Sequence, residues 1–195
     1  MLNELRKRIA NRAAVRSLKK RCPGLRADST LKVKLPQYIQ CGENVDIGEG
    51  SRLMCWDSYR GTRFADPPRI AIGSGVRATR NLTIQCASRV TIGDNVLIAS
   101  DVFMVDYNHG MSPHAASYVE NPLDRSEGIT IEDGAWIGNN VIILPGVTIG
   151  RKSIIGAGSV VTRSIPPYCI AAGSPAKVIR RFNHERNEWV RVDEA

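Results

Sequence analysis

The chain has 195 residues, of which 43% are hydrophobic, and this size supports one domain with a sizeable core but not two independent ones. Its five cysteines are scattered and none forms a C-x-x-C pair, so neither a disulfide framework nor a zinc site is expected. The net charge of +8 indicates an anionic partner. Because no basic segment is interleaved with aromatic residues, nucleic acid is not expected as that partner.

The amino-terminal segment, residues 1–30, is basic and is predicted to contain a short helix. Leu2, Leu5, Ile9 and Ala13 are spaced to share one helical face. No apolar stretch here is long enough for a signal peptide or a membrane span, so the protein is expected in the cytoplasm. Two roles stay open for the helix. Either it caps the exposed core at one end of the domain, or it makes peripheral contact with an anionic inner membrane.

A six-residue repeat runs through most of the remaining chain. Degenerate copies lie around Ile47 and Ile72, a full copy begins at Ile92, and from residue 131 an aliphatic residue recurs at every sixth position. The strictly spaced positions are Ile131, Ile137, Ile143, Ile149, Ile155 and Val161. Neither a helix, with its period of about 3.6, nor a strand, with its period of two, explains this spacing. The repeat therefore indicates a short strand followed by a tight turn.

Three such units make one triangular coil of a parallel β-helix, and each inward aliphatic residue stacks on its counterpart in the next coil. Glycine or asparagine at the corner is expected to take the positive-φ conformation that the turn needs. The predicted fold is mainly β. The β-helix is expected over residues 31–182, with a loop insertion at 105–128 and a carboxy-terminal tail over residues 183–195. A passive solenoid without any site is the alternative interpretation of the repeat.

The longest interruption of the repeat, residues 105–128, contains Asp106, His109 and His114. Interruptions of a solenoid are where function is usually carried. A histidine with a pKa near neutrality can take a proton from a hydroxyl group while that oxygen attacks an acyl group. General-base help of this kind is worth about 10²–10⁴-fold in rate. For His109 the alternative interpretation is a surface histidine without a role.

Several segments carry a resemblance to a known family. They read IGDNVLIA (92–99), DYNH (106–109), AWIGNNV (135–141), PGVTIG (145–150), GAGSVVT (156–162) and AGSPAKVI (172–179). The chain resembles the hexapeptide-repeat acetyltransferases, in particular the galactoside, maltose, capsule and lipopolysaccharide O-acetyltransferases, over about residues 70–182. This resemblance implies a left-handed β-helix and acetyl-CoA as co-substrate, with no metal. It also implies a sugar or glycan acceptor and a homotrimer with active sites between subunits.

The resemblance also implies particular site residues. His109 falls at the position of the family's catalytic base, and Asp106 is typical of the polysaccharide-modifying members, where a carboxylate can orient the imidazole. The positions that match the acetyl-CoA groove are Trp136, Asn139, Ala157, Thr162, Arg163, Lys177 and Arg180. The two basic residues at the end of this series match groups near the cofactor's phosphates. Solvated surface charge is their alternative interpretation.

The acceptor is less closely defined by the resemblance. Thr79 and Ala87 stand where the galactoside and maltose enzymes carry an acceptor-binding Asn and Asp, which weakens a simple galactoside as the acceptor. A second interruption, residues 56–63, offers aromatic and polar groups suited to a sugar. The implied function is O-acetylation of a sugar hydroxyl in a surface polysaccharide or its precursor. A xenobiotic acetyltransferase of the same fold and a non-enzymatic assembly subunit are the alternatives.

Two other enzyme classes fit the sequence less well. The five-residue spacing of His109 and His114 matches the zinc site of solenoid carbonic anhydrases, but that site needs a third histidine on another coil. The third histidine of this chain, His184, lies in the expected tail. A serine acetyltransferase is disfavoured because its long helical amino-terminal region has no counterpart here.

Overall fold

The computed structural model describes residues 2–125 and 128–192. Helix α1 (Leu2–Arg21) is followed by short strands and by two 3₁₀ turns, Pro36–Tyr38 and Tyr118–Glu120. The strands of the first half are β1 (Leu25–Ala27), β2 (Lys32–Lys34), β3 (Ile39–Cys41), β4 (Val45–Ile47), β5 (Arg52–Cys55), β6 (Ser58–Tyr59), β7 (Thr62–Arg63), β8 (Arg69–Ile72), β9 (Arg77–Ala78), β10 (Thr83–Cys86), β11 (Arg89–Ile92) and β12 (Leu97–Ile98). Those of the second half are β13 (Phe103–Val105), β14 (Asn108–His109), β15 (Leu123–Asp124), β16 (Ile129–Ile131), β17 (Trp136–Ile137), β18 (Ile142–Ile143), β19 (Thr148–Ile149), β20 (Ile154–Ile155), β21 (Val160–Val161), β22 (Cys169–Gly173), β23 (Ala176–Asn183) and β24 (Glu188–Arg191).

Three parallel sheets form the sides of a triangular β-helix. Face A has the order β1-β4-β9-β12-β17-β20-β22, face B has β2-β5-β10-β13-β18-β21, and face C has β3-β8-β11-β16-β19. The chain passes from face B to face C to face A and back to face B, one strand at a time. Each six-residue unit therefore supplies one strand and one corner, as the repeat predicts.

The core is built from columns of aliphatic side chains along each face. On face B the register aligns Leu53 with Ile84, Met104, Ile143 and Val161, and all of them are buried. The six positions of the strict repeat are all buried as well, and they fall in turn on faces C, A and B. Full burial of one such side chain contributes about 1.5–3 kcal/mol, so the stacked columns supply most of the driving force for folding.

The glycines of the repeat have two different roles. Positive φ occurs before the strand, at residues such as Gly134 and Gly158, and at Asn95 and Asn140 in the turns. The glycine that directly follows the aliphatic residue is needed for close packing of coils instead. At Gly150, for example, an added Cβ atom would lie 2.3 Å from the backbone nitrogen of a residue in the next coil. The positive φ expected at a corner Gly or Asn is therefore found at these turn residues, but not at Gly150.

Helix α1 packs against the first coil through a face other than the predicted one. Leu18 is fully buried, and the side-chain amide of Asn11 donates to the Leu31 carbonyl (2.9 Å) and accepts from the Val33 amide (3.0 Å). Asn11 thereby pairs with the free edge of β2, where backbone groups need partners. Leu5 and Ile9 are more than half exposed on the outer side. The expected shared face therefore points away from the core.

The expected domain boundaries differ from the observed ones at both ends. Strand β1 already belongs to face A, so the β-helix begins at Leu25 instead of residue 31. At the other end β23 and β24 add antiparallel strands to face A, so residues 183–191 continue a sheet instead of forming a tail. The ring of Phe182 packs edge-on against Trp189, with 5.2 Å between ring centroids. Among the described residues, no helix is both long and apolar enough to cross a membrane.

Both interruptions of the repeat occur at the corner between faces B and C. Residues 56–68 follow β5, and residues 106–128 follow β13, two coils further along the same face. The intervening coil turns this corner tightly through residues 87–88 between β10 and β11. We call this place the B–C corner. The stacking of coils brings together two segments that are about fifty residues apart in the chain.

Candidate active site

The two insertions contact each other along the B–C corner. Trp56 packs edge-on against Tyr107, with ring centroids 5.9 Å apart. The guanidinium of Arg125 lies 3.8 Å from the centroid of the Phe64 ring and donates to the Ala87 carbonyl at 2.6 Å. The insertions therefore form one unit on the surface of the β-helix, and the tight turn of the intervening coil lies beneath them.

The first insertion is a small hairpin made of β6 and β7, and Asp57 holds its base. The carboxylate of Asp57 accepts hydrogen bonds from Arg63 (2.8 Å) and from the Tyr38 hydroxyl (3.2 Å). The hydrogen bond from Arg63 is the main cause of a lowered pKa for Asp57. Asp57 joins the hairpin to the first coil and so fixes the position of the hairpin, in which Tyr59 is the last residue of β6.

The second insertion is ordered by a short antiparallel pairing. Strand β14 pairs with β15, which aligns His109 with Leu123. The buried side chain of Asn121 donates to the carbonyls of Gly110 (2.6 Å) and Ser112 (3.1 Å), and this closes the start of the loop against its end. His109 thus sits on a short strand whose backbone is fixed on both sides, although the segment reads as irregular in the sequence.

His109 combines exposure with a fixed ring position. Its side chain is exposed to solvent. The Nδ1 atom lies 3.2 Å from the hydroxyl oxygen of Tyr59, and the two rings meet edge-on with centroids 5.5 Å apart. An exposed imidazole that is held through one ring nitrogen suits the role of a general base. Sequence reasoning identified the histidine but missed Tyr59 as its partner.

The side chain of Asp106 is buried and stabilises the turn of the intervening coil at residues 87–88. Its carboxylate accepts hydrogen bonds from the backbone amides of Ala87 (2.7 Å) and Ser88 (3.0 Å). Burial raises the pKa of Asp106, while these amide hydrogen bonds act in the opposite direction. Within residues 2–125 and 128–192 no hydrogen bond or ion pair joins Asp106 to His109. The structure therefore does not bring the predicted pair into direct contact, and any effect of Asp106 on the imidazole is indirect.

The residues expected along the acetyl-CoA groove fall on two corners and one face. Trp136 is 48% exposed on face A and is aligned with Leu97, which is 42% exposed. Asn139 and Ala157 lie at the corner between faces A and B on successive coils, where the Gly158 amide donates to the Asn139 carbonyl at 2.8 Å. Trp136 and Leu97 form an exposed apolar strip on face A, and the turns at the neighbouring corner lie beside it.

The other expected groove residues lie elsewhere on the chain. Thr162 and Arg163 are exposed at the B–C corner, the same corner that carries His109. Lys177 and Arg180 are exposed on β23, which continues face A. A single chain thus presents His109 on one corner of the triangle and the strip around Trp136 on another face. Within one chain, the structure does not bring His109 together with the residues around Trp136.

A groove of about 750 Å³ runs beside the His109 hairpin. Its lining includes Leu123, which is aligned with His109 in the hairpin. The charged lining residues are three arginines and two aspartates, namely Arg69, Arg89, Arg125, Asp66 and Asp124. Guanidinium groups hydrogen-bond well to carboxylates, phosphates and sugar hydroxyls. The groove therefore offers a polar surface next to the histidine, with charges of both signs and a slight excess of positive charge.

The three histidines occupy separate environments. His184 packs edge-on against Tyr168 (4.7 Å) and Phe182 (5.1 Å) near the carboxy-terminal hairpin, away from the loop of His109 and His114. Over the described ranges no group of three or more His, Cys, Asp or Glu residues is arranged to hold a metal ion.

Comparison with known proteins places the chain in a family. The family model "Bacterial transferase hexapeptide (six repeats)" matches residues 128–163. The chain is 37% identical over 170 residues to a protein of Escherichia coli named as a lipopolysaccharide biosynthesis O-acetyl transferase, WbbJ, and the match covers 80% of this chain and 82% of that protein. The chain belongs to the hexapeptide-repeat acetyltransferases. The predicted left-handed β-helix and the predicted acyltransferase class are confirmed by this membership.

Other known proteins share parts of the sequence or the fold. The galactoside O-acetyltransferase of Escherichia coli is 48% identical over 120 residues, which cover 62% of this chain and 58% of that enzyme. A solved galactoside acetyltransferase in complex with coenzyme A superposes with a TM-score of 0.55 at 26% identity, covering 96% of this chain and 86% of the other. AntD of Bacillus cereus, an N-acyltransferase at 20% identity, covers 85% of each chain with a TM-score of 0.68 and shows the same fold.

Proposed function

We propose that this protein transfers an acetyl group from acetyl-CoA to a hydroxyl of a sugar, with His109 as the general base. The observation that carries the proposal is the exposed imidazole on a braced hairpin at the B–C corner, in a chain that belongs to the acetyltransferase family. Relatives named as galactoside O-acetyltransferase and as lipopolysaccharide O-acetyl transferase support a sugar acceptor.

In the proposed reaction, His109 accepts the proton of the acceptor hydroxyl as that oxygen attacks the thioester carbonyl carbon. A carbon–oxygen bond forms, and the carbon–sulfur bond breaks when the tetrahedral intermediate collapses. The imidazolium then returns the proton to the departing thiolate, so the products are an acetyl ester and free coenzyme A. General-base assistance of this kind contributes about 10²–10⁴-fold to the rate.

We propose that acetyl-CoA lies along the surface around Trp136, and not in the arginine-lined groove. Trp136 and its apolar neighbour Leu97 suit an extended, weakly polar chain, and exposed corner turns beside Asn139 and Ala157 offer backbone groups. Lys177 and Arg180 suit the cofactor's phosphates because they are exposed cations on the same face. Thr162 and Arg163 flank the corner that carries His109.

This division of the residues supports a homotrimer with active sites between subunits. Since His109 and Trp136 lie on different parts of one chain, a neighbouring subunit supplies the missing half in the proposed assembly. Mixed trimers test this directly. Co-expression of His109→Ala with Asn139→Arg subunits is expected to restore part of the activity that each variant lacks alone. Trimers that show no restoration contradict a shared site.

We propose that the acceptor belongs to a surface polysaccharide or to its precursor. The groove is lined by three arginines against two aspartates, so its slight positive excess supports a charged glycan or a phosphate-bearing precursor over a neutral galactoside. Thr79 and Ala87 also depart from the simple sugar enzymes, and the Thr79 hydroxyl is engaged with Ser100 at 2.8 Å. A xenobiotic acceptor is the second candidate, because it uses the same fold and base.

The acceptor experiment is acetyl-CoA-dependent thiol release across a panel of neutral sugars, nucleotide-sugars, acidic oligosaccharides and aminoglycoside-type antibiotics. The proposal expects release stimulated most by an acidic or phosphate-bearing glycan. The variant Arg89→Gln tests the groove, because it removes one positive charge there. It is expected to raise KM for that acceptor, and the unchanged KM for acetyl-CoA serves as the control. Stimulation by antibiotics alone contradicts the proposal of a glycan acceptor. Absence of acetyl-CoA binding contradicts the proposal that the protein uses acetyl-CoA as its donor.

We also propose that α1 rests on the anionic inner surface of the membrane, where lipid-linked glycan precursors are attached. The helix contains eight basic residues and one acidic residue, Glu4, and its outer side carries the exposed Leu5 and Ile9 beside Arg12 and Arg16. Each basic residue near an anionic surface contributes about 1 kcal/mol. Such a contact is compatible with the expected cytoplasmic location. It is also compatible with a capping role for α1, because the opposite side of the helix packs on the first coil.

Sedimentation with vesicles tests the membrane contact. The whole protein is expected to bind vesicles that contain phosphatidylglycerol and not vesicles of phosphatidylcholine alone, with binding that weakens as salt rises. Arg16→Glu is expected to weaken binding, whereas Arg186→Glu makes the same charge change at the opposite end and leaves it unchanged. Equal losses in the two variants indicate attraction by net charge alone and contradict the assignment to α1.

A further inference from the structure

The hydroxyl group of Tyr59 has two partners in the second insertion. It donates to the backbone carbonyl of Val119 at 2.5 Å and lies 3.2 Å from Nδ1 of His109. Val119 is in the returning half of the loop, and His109 is in the outgoing half. One hydroxyl therefore connects the first insertion to both halves of the second.

The number of protons decides the direction of the second hydrogen bond. A carbonyl oxygen only accepts, so the single phenolic proton of Tyr59 is committed to Val119. The oxygen keeps lone pairs with which it can accept from Nδ1–H of the imidazole. A neutral imidazole carries one N–H group, so Nδ1–H leaves Nε2 with its lone pair.

We infer that Tyr59 is a positioning residue that holds neutral His109 in the tautomer protonated at Nδ1, so that Nε2 is the atom that accepts the acceptor's proton. This inference rests on the proposed function of His109. It adds the identity of the basic nitrogen and the residue that selects it. The contact joins two insertions that the repeat itself does not encode.

The same contact holds throughout the proton transfer. When Nε2 takes the proton, the imidazolium keeps Nδ1–H, and the bond to Tyr59 is preserved without rotation of either ring. Tyr59 is itself half-buried on the hairpin braced by Asp57, and its ring meets the imidazole edge-on. The base is therefore oriented before the acceptor arrives, which avoids reorganisation during the reaction.

The tautomer is measured directly by long-range proton–nitrogen correlation NMR of the histidine rings, in the full chain labelled with nitrogen-15. The chain contains only three histidines, and loss of one set of signals in His109→Gln assigns the relevant ring. The inference expects wild-type His109 at high pH to be protonated at Nδ1. Protonation at Nε2 in the wild type overturns the inference, whatever the activity of the enzyme.

The variant Tyr59→Phe keeps the ring and removes the hydroxyl. It is expected to give a mixture of tautomers and to lower kcat by about 10–100-fold, with KM for acetyl-CoA within about twofold of the wild-type value. Tyr118→Phe removes a hydroxyl from the neighbouring, exposed tyrosine and is expected to leave both readouts unchanged. An unchanged tautomer and kcat in Tyr59→Phe contradict the inference.

The two hypotheses fail in different ways. If His109→Gln retains activity while wild-type His109 is protonated at Nδ1, the proposed base is wrong and the Tyr59 contact is merely structural. If His109→Gln is inactive but the wild-type ring is protonated at Nε2, the base stands and the positioning role of Tyr59 is wrong.

Discussion

The uninterrupted coils of residues 129–165 and the B–C corner are built on different principles. In the coils, each strand repeats the same inward aliphatic residue, and the buried columns continue from coil to coil. At the corner, order comes from individual polar contacts such as Asp57 with Arg63 and Tyr59 with His109. The coils gain stability from repetition, whereas the corner gains a defined position for one exposed histidine.

This division separates stability from chemistry along the chain. A solenoid distributes its stability over neighbouring coils, so a local insertion can change without loss of the fold. The insertions leave the β-helix at one corner and return to it, and the columns beneath them stay in register. Substitutions in the two regions are therefore expected to affect different measurements.

The largest stability effect is expected in the columns. Ile143→Ala removes a fully buried side chain from face B and is expected to cost about 2–5 kcal/mol in the free energy of unfolding. Ile142→Ala makes the same chemical change one residue earlier, at a side chain that is 38% exposed, and is expected to cost less than half as much. Denaturant unfolding measures both. Equal costs would mean that the columns do not dominate stability.

A smaller effect is expected at the glycines between coils. In Gly150→Ala the new Cβ atom meets backbone 2.3 Å away, so the coils must shift, at a cost of about 1–3 kcal/mol. Gly156→Ala occupies the same place in the repeat, but its nearest neighbour is a side-chain atom at 2.9 Å. Thermal unfolding is expected to rank Gly150→Ala as the less stable variant. The reverse order contradicts the close-packing role.

The boundary between the two regions is tested at Asp106. Asp106→Asn keeps one acceptor oxygen and places an amide N–H₂ group against a backbone amide of residue 87 or 88, at an expected cost of about 1–3 kcal/mol in unfolding free energy. The pH profile of kcat in the folded variant is expected to stay unchanged. A shifted profile without loss of stability would instead indicate that Asp106 orients the imidazole of His109, as the sequence analysis predicts.

The strict repeat was sufficient to predict the β-helix and its buried positions. The period of six fixes one strand and one turn per unit, and this alone places Ile131, Ile137 and Ile143 on three successive faces. The close approach of coils at Gly150 was not predictable, because it depends on a backbone contact with residues from the next coil. The outward face of α1 was also missed, since Asn11 pairs with a strand edge that the sequence does not reveal.

The candidate site was predicted in part. His109 stands out as a histidine in an interruption of the repeat, and the structure shows it exposed on the strand β14. Its contact with Tyr59 was not found, because the degenerate repeat between residues 50 and 90 hides which corner each insertion leaves. Counting coils from Ile143 back to Leu53 along face B would have placed both insertions at one corner.

The initial rate of acetyl transfer by His109→Ala, compared with the wild type, tests the central claim that the corner carries the chemistry. The rate is expected to fall by about 10²–10⁴-fold, while the free energy of unfolding stays within about 0.5 kcal/mol because the side chain is exposed. His114→Ala, in the same loop, is the matched control and is expected to retain the rate. A His109→Ala enzyme that is folded and within about threefold of the wild-type rate would contradict the assignment of the base.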